Sequence, residues 1–407
     1  MKALDKKNIK IVLLENIHPT AVKFLKDKGF SNIITFKDSP SQDVLIDAIK
    51  DAHLIGLRSR TKLTKELIDK AKNLMAVGCF CIGTEQVDYK YAKELGIPVF
   101  NAPYSNTRSV AELVIAEALG LMRKISVKNG KAHKGIWDKS ATGCFEVKGK
   151  TIGIIGYGHI GMQVGLMAEA LNMNVVYYDI EKKLTLGSAK PMATLDELLK
   201  ISDIITLHVP GNGDTQNMIG KKQLEMMKKG AILLNIARGK LVDIDALAEA
   251  LRSGHLSGAG VDVFPTEPKG KDEAFVSPLT EFDNVILTPH IGGSTEEAQE
   301  NIALDVAEKF SNFILAGSTF SAINFPEINL TEKPNVCRIL HIHKNLPGVM
   351  KEINKIFGDY NVNISAQYLQ TDSYLGYVAM DIENDKISDE IVEKLKQVIH
   401  TIKVIVI

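Results

Sequence analysis

Short apolar runs alternate with longer segments of mixed polarity along most of the chain. Runs at 9–14, 32–36, 54–57 and 75–79 read as buried strands, and the segments 18–28, 42–49, 65–72 and 89–95 as helices. This is the βαβ rhythm of a parallel sheet covered on both faces. Glycine and proline close the unit at residues 96–98 and 101–103, and a largely buried helix is expected over 110–127. A loop at 132–139 follows and carries the single tryptophan, Trp137. The alternation restarts at Thr151, with strands near 151–155, 174–178, 203–208, 231–235, 258–262 and 285–288. That predicts a second, six-stranded doubly wound sheet.

A helix over 296–315 runs on from this sheet and is expected to return the chain to the first domain near 321–324. Residues 326–335 are polar, with two prolines and no glycine, and read as a linker. Beyond it, strand 336–343, helix 348–357, strands 362–370 and 375–382, helix 387–398 and strand 400–406 give βαββαβ, the ferredoxin-like pattern. The predicted class is α/β: two Rossmann-like doubly wound parallel-sheet domains plus a C-terminal ferredoxin-like domain. The expected division is 1–105 with 297–325, 106–296, the linker 326–335, and 336–407. The last unit holds no catalytic cluster and reads as regulatory or as an assembly device.

Composition narrows the partners. Lys+Arg and Asp+Glu both number 49 in 407 residues, so no global field draws the chain to nucleic acid or to an anionic membrane. No apolar run reaches the length of a membrane span, and the first residues lack a signal-peptide core, so a cytoplasmic protein is expected. Cys79, Cys81, Cys144 and Cys337 lack metal-site spacing and read as reduced thiols, and no metal is expected.

Chemistry concentrates in the second sheet. The strand 151–155 stops at Gly156-x-Gly158-x-x-Gly161 and a helical pattern opens behind it. In a dinucleotide site these glycines serve a tight turn, close approach to pyrophosphate, and close helix–strand packing. Asp179 ends the next strand 18 residues after Gly161, about where a carboxylate meets the adenosine ribose. An acid there repels a 2′-phosphate and favours NAD over NADP. The alternative is a plain surface Asp at a strand end.

Ligands of open α/β sheets bind at carboxyl ends of strands. Arg238 stands at one such end and suits a substrate carboxylate. Glu267 lies in a proline-bounded loop after the next strand, and His290 follows the last strand, ahead of Gly292 and Gly293. A Glu beside a His raises the imidazole pKa and fixes its tautomer. The alternative is an isolated loop histidine.

The motifs GLRSRT (56–61), FCIGT (80–84), NAPYSNTRSVAE (101–112), GIIGYGHIG (153–161), NIARG (235–239), VDVFPTEP (261–268) and TPHIGGST (288–295) span most of the chain. The sequence resembles the D-isomer-specific 2-hydroxyacid dehydrogenases, most closely the branch that acts on 3-phospho-D-glycerate and ends in an ACT domain. The resemblance implies Arg238, Glu267 and His290 as the catalytic trio. It implies His159, Ile160, Asp179, Ala237, Asp262 and Gly292 around NAD, and substrate contacts at Arg58, Ser59, Arg60, Asn106 and Arg108. The ACT unit would bind L-serine through His343, Asn345 and Asn363 across a dimer interface, within a homo-tetramer.

The expected reaction is NAD-dependent interconversion of 3-phospho-D-glycerate and 3-phosphooxypyruvate, the first step of serine synthesis, with feedback by serine. The resemblance also implies a side activity that reduces 2-oxoglutarate to 2-hydroxyglutarate. The residues bear on this independently, since a phosphorylated acid carries about three negative charges that a neutral chain must meet locally. Arg58 and Arg60 alternate about a strand end, so both reach one ligand only from a loop beyond it. That one of them, Arg58, is a solvated surface residue stays open. In the ACT unit, Leu346 stands where many relatives are expected to carry a basic residue, and the linker lacks a hinge glycine pair. Alternatives are a dehydrogenase of an unphosphorylated acid such as glycerate or lactate, or an NAD-sensing binding protein.

Overall fold

A computed structural model describes residues 5–211, 213–268, 273–334, 336–383 and 387–407. By its packing the chain divides into two units, 106–298 and the combination of 1–105 with 299–407. The fold class is the expected one, α/β with an antiparallel C-terminal sheet.

In the first unit β1 (Ile11–Leu13), α1 (Pro19–Asp27), β2 (Ile33–Thr35), α2 (Gln42–Ile49), β3 (Leu54–Leu57), α3 (Lys65–Lys70), β4 (Ala76–Cys79), α4 (Tyr89–Glu94) and β5 (Val99–Phe100) alternate. They build a parallel sheet of order β2-β1-β3-β4-β5. The strands are apolar throughout because helices cover both faces. β5 escaped the pattern because a two-residue edge strand leaves no periodicity to read.

The second unit opens with α5 (Thr107–Met122) and α6 (Ile125–His133). The single helix expected over 110–127 is thus broken: Lys124 adopts φ +51, which ends α5 and starts α6, whose last two residues run into the loop expected over 132–139. Then come β6 (Thr151–Ile155), α7 (His159–Ala170), β7 (Asn174–Tyr178), β8 (Lys190–Pro191), α8 (Leu195–Ile201), β9 (Ile204–Leu207), α9 (Lys221–Met226), β10 (Ile232–Asn235), α10 (Ile244–Arg252), β11 (Gly258–Val261) and β12 (Val285–Leu287). All strands are parallel, in the order β12-β11-β10-β9-β6-β7-β8. The sheet therefore has seven strands rather than six. The seventh, β8, pairs Lys190 with Val176 and Pro191 with Tyr177. It is polar and proline-bearing, tolerable only at an edge, and so carried no strand signal.

The helix α11 (Glu296–Ala316) brings the chain back into the first unit. There Phe310 and Phe313, both buried, meet Phe80 and Phe100 at ring separations of 6.2 and 6.1 Å. Each buried phenylalanine stabilises by about 1.5–3 kcal/mol.

The C-terminal part comprises β13 (Cys337–Lys344), α12 (Val349–Asp359), β14 (Ile364–Thr371), β15 (Leu375–Ile382), α13 (Asp389–Gln397) and β16 (Thr401–Val406). Its sheet is antiparallel, ordered β14-β15-β13-β16. Along β15, Val378 and Met380 face α12 and α13, whereas Tyr377 and Ala379 join the core of the first unit. Both faces are covered, which is why β15 is buried along its whole length. Within the expected linker Ile328 and Leu330 are buried in that same core, whereas 331–334 are exposed. The last residue of the expected linker, Asn335, lies outside the described residues. A bidentate pair of Arg338 with Asp381 closes the joint, with Arg338 Nη1 also donating to the Ala316 carbonyl (2.7 Å) and to that of Thr331 (3.2 Å).

Candidate active site

The glycine motif forms the turn between β6 and α7. Gly156 has φ +92, and a Cβ there would sit 2.5 Å from the His208 carbonyl oxygen. A Cβ on Gly161 would lie 2.2 Å from the Gly156 oxygen, so α7 packs on the strand only because both residues are bare. At Gly158, by contrast, an added Cβ meets nothing within 4 Å. No side chain caps α7, whose first residues are His159 and Ile160. This is a concave, uncapped helix start of the kind that cradles pyrophosphate, so the residues present fit a dinucleotide.

Half-buried Asp179 follows β7. Its Oδ2 accepts the Tyr157 N–H (2.8 Å) and its Oδ1 the Glu181 N–H (2.9 Å). The carboxylate thus borders the glycine turn and helps to shape it.

Three strand ends carry the remaining groups. After β10, the fully buried Asn235 accepts the Ala237 N–H (3.2 Å) and donates to the Arg238 carbonyl (3.0 Å), pinning the loop that presents Arg238. Gly239 follows, and a Cβ there would fall 2.0 Å from the Phe264 carbonyl carbon. That close approach sets the Arg238 loop against the segment leading to Glu267. Glu267 Oε1 accepts the Phe264 N–H at 3.1 Å.

His290 stands beyond β12 with φ +56, in the left-handed region that costs a non-glycine residue energy. Its backbone N–H donates to the Asp262 carbonyl at 2.9 Å. Its Nδ1 lies 3.1 and 2.9 Å from the two Glu267 oxygens, which orients the ring and leaves Nε2 for chemistry. That hydrogen bond raises the His290 pKa above its ordinary value, against the opposing effect of desolvation. Burial works to raise Glu267, but the hydrogen bond and charge of His290, with help from Phe264 N–H and Arg238, hold it below its ordinary value.

Asp262 belongs to the scaffold of this loop. It is 1% exposed, and its carboxylate accepts from the Thr288 hydroxyl (2.6 Å), the Ile291 N–H (2.7 Å) and the Gly292 N–H (2.9 Å). Ser109 donates to the Gly292 carbonyl (2.6 Å), and Gly293 lies against the Asn106 amide. Asn106 Oδ1 is buried without a hydrogen-bond partner among the described residues. Arg108, in contrast, points outward in an ion pair with Glu112 (2.6 Å).

In the first unit Arg58, Ser59 and Arg60 all lie in the loop after β3, the arrangement in which both guanidiniums can reach one ligand. Glu15, buried and with φ +66, accepts the Arg60 and Thr61 N–H groups at 2.9 and 2.7 Å. Gln86 Nε2 donates to the Arg58 carbonyl at 2.7 Å. Glu15, Gln86, Asn235, Gly239 and Ser109 are supporting residues that sequence reading missed; the buried acid directly after an apolar strand was the one available signal.

The three candidate effector residues do not converge within one chain. His343 pairs with Gly376 across the sheet, whereas Ile364, beside Asn363, pairs with Ile382. Six residues of β15 separate the two ends, about 20 Å. His343 is 2% exposed, its Nδ1 lies 3.3 Å from His341 Nδ1, and burial lowers the pKa of both rings. Asn345 and Asn363 are exposed, and Asn345 donates to the Asp372 carbonyl at 2.8 Å. Among the described residues no group of side chains could hold a metal, and no helix is long and apolar enough to cross a membrane.

Residues 115–292 match the family model of the D-isomer specific 2-hydroxyacid dehydrogenase NAD-binding domain, and 339–403 that of an acetohydroxyacid synthase small-subunit-like ACT domain. The chain is 55% identical over 401 residues to D-3-phosphoglycerate dehydrogenase of Haemophilus influenzae, covering 98% of each chain. To the enzyme of that name from Escherichia coli K12 it is 53% identical over 402 residues, again covering 98% of each. Among solved structures, a D-lactate dehydrogenase of Aquifex aeolicus complexed with NAD and lactic acid superposes with a TM-score of 0.67 at 32% identity. That match covers 75% of this chain and 95% of the other.

Proposed function

Because the chain belongs to the D-isomer-specific 2-hydroxyacid dehydrogenases, NAD-dependent oxidoreductases, we propose that it interconverts 3-phospho-D-glycerate and 3-phosphooxypyruvate. The observation that carries the chemistry is the Glu267–His290 pair at the end of the sheet that also bears the glycine cradle. NAD, when bound, supplies a nicotinamide ring that accepts and returns a hydride. His290 Nε2 takes the C2 hydroxyl proton during oxidation and gives it back during reduction. Glu267 holds Nδ1 in its protonated form and supports the imidazolium. Arg238 steadies the carboxylate and polarises the reacting oxygen. Asp179 meets the adenosine ribose and disfavours a 2′-phosphate.

On the first unit, Arg58 and Arg60 have no acidic partner among the described residues and suit a phosphoryl group. On the C-terminal sheet, the separation of His343 and Asn345 from Asn363 supports a serine site completed by a second copy of the chain. The exposed edge strand β14 is the surface such a copy would pair with. We place the enzyme in the cytoplasm as a serine-inhibited homo-tetramer, with 2-oxoglutarate as a slower substrate.

NADH consumption with phosphooxypyruvate, 2-oxoglutarate and hydroxypyruvate, each with and without L-serine, tests this reading. Phosphooxypyruvate should be fastest and serine should suppress it. A preference for hydroxypyruvate would overturn the phosphoryl role of Arg58 and Arg60.

A further inference from the structure

Glu117 sits in the middle of α5, 3% exposed, and among the described residues neither carboxyl oxygen has a hydrogen-bond partner. Its carboxyl fills the space above Gly260 on β11, where an added Cβ would lie 2.2 Å from Oε2. Two residues on is Asp262, which scaffolds the His290 loop. A second buried charge beside Asp262, without a partner, would be strongly disfavoured. The polar neighbour nearest to hand, the Thr288 hydroxyl, is already committed to Asp262.

From this geometry we propose that Glu117 is a positioning residue kept as a neutral acid, whose ionisation loosens the Asp262-held loop and so withdraws His290 from its working position. The proposal rests on the role assigned to His290. Burial first, and the Asp262 charge second, push the Glu117 carboxyl up to about 8, with Thr288 acting the other way. The group therefore changes charge just above neutrality.

The elements packed against α5 bring few charges to bear. β11 presents Gly260 and Asp262, the segment after β12 presents Thr288, and β10 presents Leu234. Helices α6 and α7 carry Lys128, Lys131, His133, His159 and Glu169, yet among the described residues only the charge of Asp262 acts on Glu117. Arg238 and Asp262 act in turn on His290. As pH rises, Glu117 gains a negative charge that Asp262 must share. The two like charges repel, and the strain is relieved by the loop opening to admit water.

The test is kcat for phosphooxypyruvate reduction across about pH 6–10 in the wild type, Glu117→Gln and Glu117→Ala. The wild type should lose activity in two alkaline steps. Glu117→Gln, permanently neutral and of equal size, should keep most of the neutral-pH rate and lose one step. Glu117→Ala should lose at least about tenfold in kcat with little change in the KM for NADH. Superimposable profiles for wild type and Glu117→Gln would overturn the proposal, as would a Gln variant as impaired as Ala at neutral pH. Infrared titration of the unmutated enzyme is the second arm, independent of folding of the variants and of the role of His290. A protonated-carboxyl band should persist at neutral pH and bleach as the pH passes about 8. No such band would overturn the neutral acid outright, whereas a failure of the His290 assignment would show instead as turnover by His290→Ala.

Discussion

At the scale of single residues the site is a set of charges held at fixed separations. His290→Ala should lower kcat by about a hundredfold or more, because it removes the proton-transfer group, while NADH still quenches or enhances fluorescence on binding. A variant retaining half the wild-type rate would remove His290 from the mechanism. Glu267→Gln removes the carboxylate charge and leaves Nδ1 only a neutral acceptor, so the imidazole should deprotonate at lower pH. In reduction, where protonated His290 donates, the alkaline fall should move to lower pH. In oxidation, where the neutral ring is the base, the acidic rise should move the same way. Opposite shifts, or none, would separate the pair. Replacing Asp179 by Ala together with Ile180→Arg should turn coenzyme preference toward NADPH, read as the ratio of kcat/KM values. Since Asp179 also accepts the Tyr157 N–H, NADH should bind more weakly as well.

Arg238, Glu267 and His290 could be singled out in the sequence because each follows an apolar strand, and strand ends are where such sheets bind ligands. Asp262 was expected beside the cofactor from the family resemblance alone. The structure shows its oxygens accepting three bonds from its own neighbours, a fact that depends on where the loop folds back. Glu117 gave no signal, since a lone acid in an apolar helix looks like any solvent-facing residue until its surroundings are known.

At the scale of elements, long apolar strands and amphipathic helices were readable and short edges were not. β5 and β8 have two residues each and exist because a neighbouring strand offers its open side. The break at Lys124 depends on one left-handed residue for which lysine carries no preference. The tight contact between the β10 and β11 loops was equally hidden, and it has a direct consequence. Gly239→Ala would force the Arg238 loop from Phe264, which overpacking puts at about 1–3 kcal/mol. The melting temperature should fall by several degrees and kcat by at least about tenfold, measured by calorimetry and steady-state assay. A variant with unchanged kcat would mean that the loops move freely past one another.

At the scale of the molecule, the separation of the candidate effector residues along β15 makes a prediction that no single chain can satisfy. Asn345→Ala and Asn363→Ala chains should each resist serine on their own. When the two variants are mixed and reassembled, one intact site forms per hybrid dimer, and part of the serine sensitivity should return. Mixtures that stay wholly resistant would mean that the residues act within one chain or not at all.

The sequence suggests three parts joined by a linker, yet Tyr377, Leu340, Phe325 and Phe313 share one apolar cluster, with the Tyr377 hydroxyl donating to the Gly317 carbonyl at 2.6 Å. The C-terminal sheet is consequently not a cassette. An engineer who cuts before residue 331 to obtain an unregulated enzyme uncovers that cluster and should recover aggregated protein. Grafting the sheet of a relative would require transplanting the end of α11 and residues 317–330 with it. The part of the chain that inheritance can exchange is larger than the part that the strand pattern marks out.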